Sequence, residues 1–138
     1  MARLLLHMGS VLLLGLAMTT PGCAALSDDL RRAEAAYSAA RYEHAMTWLV
    51  ELDPSIPQME VEERARYFFM RGMSAYRLGD RREALHYLAL SREIAGPEAQ
   101  ALRSDWRQAI ERTIAELEAE NTASTRPASD EADEANES

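Results

Sequence analysis

The chain has no lysine: all fifteen basic residues are arginine, set against 23 carboxylates, and the formal charge is −8. Without a lysine cluster, an acidic surface argues against nucleic-acid binding and against an electrostatic grip on anionic lipid. Cysteine is reduced to Cys23 alone, so no internal disulfide can form. Histidine is nearly as scarce. His44 and His86 fall on expected helices with no second His or Cys at metal-ligand spacing, which makes them surface histidines, and no metal site is expected. There is no glycine-rich phosphate loop, no G-x-S-x-G elbow and no Cys/His pairing in the body of the chain. The carboxylate run Glu60, Glu62, Glu63 reads as the wet face of a helix. No catalytic residue, no cofactor and no small-molecule substrate is expected, so the chain is not expected to be an enzyme.

Long apolar runs are missing too, since a membrane span needs about 20 residues. The longest run, Leu4 to Met18, follows Arg3 and has the shape of a secretory leader. Loss of a leader over residues 1–22 takes Arg3 with it and leaves a charge of −9. Cys23 stands directly after Thr20-Pro21-Gly22, where it is a leftover thiol, an intermolecular bridge or a processing site. Its position favours the third. The stretch resembles a bacterial lipobox, in which a small residue precedes a cysteine that is acylated and becomes the new N-terminus; Thr20 and Pro21 depart from the usual pattern. The resemblance implies a lipidated N-terminus over residues 23–26, held firmly by several acyl chains. Ala24 after the cysteine is similar to outer-membrane lipoproteins and implies the periplasmic side of that membrane. Ordinary signal cleavage near Ala24 or Ala25 would give a soluble exported protein instead.

What the sequence does have is helical periodicity. From Tyr67 to Ile94, Phe68, Phe69, Gly72, Met73, Ala75 and Tyr76 recur at three- and four-residue steps, followed by Ala84, Leu85, Leu88, Ser91 and Ile94. Gly79 suits a left-handed helix end, and Asp80 with Glu83 suits a capping box. The unit is an expected antiparallel helix pair in which Gly72 and Ala84 leave no side chain between the backbones. It resembles a tetratricopeptide repeat (TPR), with Gly72 on the family's small residue, Tyr76 and Gly79 on its tyrosine and turn glycine, and Ala84 on the small residue of the second helix. Arg71 departs from the pattern, where the family prefers leucine.

An earlier unit fits the same frame less closely. Ser27-Asp28-Asp29 supplies a cap, and Leu30, Ala33, Ala36, Tyr37 and Ala40 a stripe. A second helix follows over about Tyr42 to Leu52. Tyr37 matches Tyr76, Ala45 matches Ala84, Leu49 matches Leu88, and Ala40 stands where Gly79 does. The offset is 39 positions, about five more than the family's period. Pro54 to Pro57, a turn, and an extended start to the next helix absorb the surplus. After Gly96, Pro97 suits the start of a last helix with a seam of Leu102, Trp106, Ile110, Ile114 and Leu117. It reads as a capping helix, with a dimerising coiled coil as the rival. From Asn121 the pattern fails, and residues 121–138 read as a disordered acidic tail.

The expected fold is all-α: two TPR-like antiparallel hairpins and a C-terminal capping helix over residues 27–120. The resemblance implies a non-enzymatic, lipid-anchored adaptor or scaffold that holds a protein or peptide partner in the cell envelope. The rivals are an accessory subunit of an envelope enzyme or assembly machine, and a soluble exported repeat protein. In this family ligands lie on the first helices, which implies a row of Glu34, Tyr37 and Ser38, then Arg66, Phe69, Met73, Tyr76 and Arg77. Phe69 and Met73 equally suit packing against the capping helix or the first hairpin.

Overall fold

The computed structural model describes residues 22–96 and 101–125, without the side chains of residues 22–24. The leader, lipidation on Cys23, the start of a helix at Pro97 and the tail beyond Thr125 therefore lie outside the described residues. The described elements are all helical: α1 (Gly22–Ser38), α2 (Tyr42–Glu51), a 3-10 helix (Asp53–Gln58), α3 (Val61–Leu78), α4 (Arg81–Ala95) and α5 (Ser104–Thr125). No helix among the described residues is long and apolar enough to cross a membrane.

α1 begins at Gly22, ahead of the expected cap at Ser27. Ser27 instead donates its hydroxyl to Glu63 Oε1 of α3, at 3.0 Å. Leu30, Ala33 and Ala36 of the expected stripe are buried. Two prolines keep the segment after α2 from continuing as an α-helix, and it tightens into the 3-10 helix, with Pro54 at its start and Pro57 inside it. That helix takes up the surplus length between the two units. Glu60 then caps α3, its N–H donating to Glu63 Oε2 at 3.2 Å.

α3 is the central element, buried without interruption from Tyr67 to Ala75. A helix covered on all sides needs neighbours all round, and here they come from both earlier helices and from α4 and α5. Its pairing with α4 is antiparallel. Ala65 O accepts from the Ser91 hydroxyl at 2.9 Å, Gly72 meets Leu88, and Ala75 clusters with Ala84. A Cβ at Gly72 would lie 2.7 Å from Leu88 Cγ and 2.9 Å from its backbone nitrogen, so only glycine permits this approach. Gly72 therefore opposes Leu88 rather than Ala84, which packs one turn away with Ala75 and Leu117.

Both hairpins turn in the same way. Gly79 has φ +88, its N–H donates to Tyr76 O at 3.2 Å, and the N–H of Asp80 reaches back to Ala75 O at 2.9 Å. Ala40 has φ +55, its N–H donates to Tyr37 O at 2.9 Å, and the N–H of Arg41 reaches Ala36 O at 3.0 Å. These are paired bonds of a Schellman ending, in which the left-handed residue satisfies orphan carbonyls. Ala36, Tyr37, Ala40 and Arg41 each stand 39 positions before their counterparts Ala75, Tyr76, Gly79 and Asp80. Asp80 caps α4 by accepting from Glu83 N at 2.9 Å, whereas Arg41 gives α2 no side-chain cap.

α5 lies parallel to α3 and antiparallel to α4. Trp106, Thr113 and Glu116 meet Phe69, Met73 and Tyr76 in ascending order. Glu111 and Glu120 meet Arg92 and Arg81 in descending order. The helix opens at Ser104, after a turn at Ala101, and carries on past the expected limit at Glu120. Thr122 and Thr125 return their hydroxyls to Glu118 O and Asn121 O, at 2.9 and 2.7 Å. Residues 121–125, expected to be tail, are thus helical and exposed.

Candidate partner-binding face

The row of first-helix residues is largely covered by α5. Phe69 is buried and stacks on Trp106, with ring centroids 4.1 Å apart and planes 14° from parallel. Met73 is buried under Thr113, whose hydroxyl lies 3.8 Å from its sulfur. Tyr37 stands edge-on to Phe69 and Trp106, at 5.7 and 6.2 Å. Burial pushes its hydroxyl up to about 12, with a further push from Tyr42 against the opposing charges of Arg77 and Arg103. Phe69 and Met73, sharpest of the expected partner contacts, are thus core residues. A large apolar pair with no other cover is better satisfied by the chain's own Trp106 than by water.

The other members divide. Arg66 and Glu34 face each other at 3.6 Å. Tyr76 donates its hydroxyl to Glu116 Oε1 at 2.7 Å, which raises its pKa. The guanidinium carbons of Arg81 and Arg77 lie 5.1 and 5.8 Å from the Tyr76 ring centroid. Only Ser38 and Arg77 of the eight are exposed.

A polar cluster at Arg71 is the feature that sequence reasoning missed. The Arg71 side chain is 9% exposed and pairs with the Asp53 carboxylate and with Glu83 Oε1, the latter at 3.3 Å. Its Nη1 also donates to the Tyr67 hydroxyl at 2.7 Å. That hydroxyl donates to Asp53. The guanidinium carbon sits 4.6 Å from the centroid of the Tyr87 ring. Burial raises the Tyr67 pKa, and the bond to Asp53 adds to the rise; for Arg71 burial works the other way, and its partners prevail to raise it. Glu83 gives its carboxylate to Arg71 rather than to the backbone of Asp80, so only half of the expected capping box forms at α4. The cluster ties the 3-10 helix to α3 and α4. One guanidinium thus holds two carboxylates, and the Tyr67 hydroxyl, its pKa raised, is no activated nucleophile.

A signal for its arginine–aromatic part alone was in the sequence. Arg32 and Trp48 stand 39 positions before Arg71 and Tyr87, and Arg32 lies over Trp48 at 5.3 Å. An arginine repeated at a first-helix position, with an aromatic repeated in the second helix, marks a cation–π pair at both places. Among the described residues there is no group of three or more His, Cys, Asp or Glu able to hold a metal ion. His44 is exposed and stacks 6.4 Å from Trp48, while His86 packs edge-on to Tyr87 at 4.9 Å.

No family model matches the chain, and neither a curated protein nor a solved structure is significantly similar to it.

Proposed function

We propose that the chain is a non-enzymatic, lipid-anchored interaction module of the bacterial envelope, built from two TPR-like hairpins closed by α5. The observation that carries the repeat reading is the coincidence at one offset. The left-handed turn residue, the two turn hydrogen bonds and the arginine–aromatic pair all recur 39 positions apart. The orientation of α5 adds support, because a helix parallel to α3 and antiparallel to α4 lies where the first helix of a next unit would lie in an array. Phe69 and Met73 being covered, the partner is a protein or peptide that meets surface still open once α5 is seated. Neither a nucleic acid nor a small-molecule substrate has a part in this reading.

In this reading the anchor rests on Gly22-Cys23 directly after the apolar run, and the outer-membrane, periplasm-facing location rests on Ala24. Cys23→Ser should release it from membranes or block its maturation, as followed by membrane fractionation. Intact-mass analysis that finds an unmodified N-terminus at Ala25 or Leu26 would contradict the anchor. Crosslinking in intact cells, followed by pull-down and mass spectrometry, tests the adaptor role. The reading expects one recurrent envelope partner. Purified protein that turns over an envelope substrate, and loses this when a single polar residue is replaced, would contradict it.

A further inference from the structure

Val50, Val61 and Leu78 are the exposed large apolar residues among those described. Val50 and Leu78, 48% and 42% exposed, line one groove between the outer face of α2 and the last turn of α3. Met46 lies half-buried beside them, Glu43, Thr47 and Glu51 complete the wall, and the cavity is about 470 Å³. Apolar residues scattered singly are normal on a surface, but Met46, Val50 and Leu78 lie together around one shallow depression. The groove does not follow from the repeat itself. The positions 39 further on from Glu43 and Val50 are Arg82 and Ala89, while Leu85, the counterpart of Met46, packs against the Ala75–Ala84–Leu117 cluster as Met46 does.

The lining states what would fit. Thr47 spends its hydroxyl on Glu43 O at 3.0 Å, so the groove offers apolar carbon and two exposed carboxylates. No arginine lines it, and among the described residues neither Glu43 nor Glu51 makes an ion pair. A β-strand occupant needs a sheet edge for its main-chain bonds and a polyproline-type segment needs an aromatic-lined groove; the described elements around this groove are helices, and no aromatic residue lines it. An occupant that satisfies its own backbone is a helix. Positions 43 to 51 of α2 run for about 12 Å, the length over which apolar residues at i, i+3 or i+4 and i+7 can lie along one face. A second copy is disfavoured because it would bring four carboxylates together, and an anionic lipid surface is disfavoured for the same reason.

We infer that this groove receives a basic amphipathic helix of a partner protein, its apolar stripe on Met46, Val50 and Leu78 and its arginines or lysines on Glu43 and Glu51. The inference rests on the adaptor reading. The experiment selects binders to the mature protein, as cells produce it, from a displayed library of helix-forming peptides about four turns long. The selected peptides are expected to carry Leu, Ile or Phe at i and i+3 or i+4, flanked by Arg or Lys. Binding should fall roughly tenfold or more with Val50→Asp, with Leu78→Asp, and with the charge reversal Glu43→Arg/Glu51→Arg. It should weaken with salt and stand unchanged in Gln108→Ala. The substituted groove positions are exposed, and an unaltered thermal melt identifies variants that remain folded. Selected peptides without basic enrichment, or binding indifferent to Val50→Asp in a folded variant, would overturn the inference. So would a dimer dispersed by Val50→Asp in sedimentation, which would assign the groove to a second copy. A partner crosslinked in cells through Ser38 or Arg77 alone leaves the adaptor reading intact and sinks the groove. Catalytic turnover sinks the adaptor reading, and leaves the peptide selection to stand or fall by itself.

Discussion

The two hairpins share one backbone turn and differ in what surrounds it. At the second turn Gly79 adopts φ +88 at no steric cost, Asp80 caps α4, and Gly72 lets α4 approach to the Leu88 backbone. At the first, Ala40 holds the same left-handed place with a methyl group, Arg41 provides no side-chain cap, and Ala33 stands at the counterpart of Gly72. The arginine–aromatic pair shows the same divergence. Arg32 is 57% exposed and pairs with Asp29 at 3.2 Å, whereas Arg71 is enclosed by two carboxylates, a tyrosine hydroxyl and a ring. The 3-10 helix makes that difference, because it delivers Asp53 onto Arg71. The same side chain 39 positions apart is a surface group in one hairpin and a buried clasp in the other, where a neighbouring segment brings it a carboxylate.

The largest expected effect separates core from binding face. Phe69→Ala removes the ring stacked on Trp106 and should cost about 3–5 kcal/mol, measured by chemical denaturation. A loss under about 0.5 kcal/mol would mean that α5 is not seated there. Gly72→Ala should cost about 1–3 kcal/mol by overpacking, because the new methyl would press on the Leu88 backbone. Arg71→Ala should cost about 1–3 kcal/mol, since it leaves Asp53 and Tyr67 without their shared donor. Arg32→Ala, its counterpart, should stay within about 0.5 kcal/mol. Equal losses for Arg71 and Arg32 would erase the distinction between the hairpins. Ala40→Gly should stabilise by about 1 kcal/mol, and Gly79→Ala should destabilise by about 1–2 kcal/mol. A destabilising Ala40→Gly would show that the first turn is not left-handed.

A separate effect is in alkaline solution. An unfolded tyrosine loses its proton near pH 10, while folded Tyr37 holds it to about 12. The unfolded state therefore gains as pH rises between those values, and stability, level below pH 10, should decline above it. Tyr37→Phe should make the decline shallower in a pH series of thermal melts.

Much of the helical order is legible in the sequence, because the residues that end helices act locally. Gly79 and Asp80 announce one turn by their own chemistry, and the apolar stripes around Leu30, Leu88 and Ile110 announce the core. Packing of Phe69 and Met73 against the capping helix was legible as one of two alternatives, and the choice between them depends on where Trp106 arrives from far along the chain. Two things escaped for reasons that are not local. The Arg71 clasp needs Asp53 from a segment read only as a turn. The start of α5 at Ser104 depends on a loop, and its continuation past Glu120 runs through a stretch whose composition reads as tail. The Val50–Leu78 groove escaped as well, since no periodicity links a residue on α2 to one ending α3.

The seating of α5 in the row formed by the first helices decides which residues are core and which are surface. The most direct measurement is a proton–proton NOE between the Trp106 indole and the rings of Phe69 and Tyr37 in the mature protein in solution. Strong cross-peaks from Trp106 to Phe69 and weaker ones to Tyr37 are expected from centroid distances of 4.1 and 6.2 Å. A solvent-exposed indole with no cross-peak to Phe69 would contradict that seating, and would return Phe69 and Met73 to the surface as partner contacts.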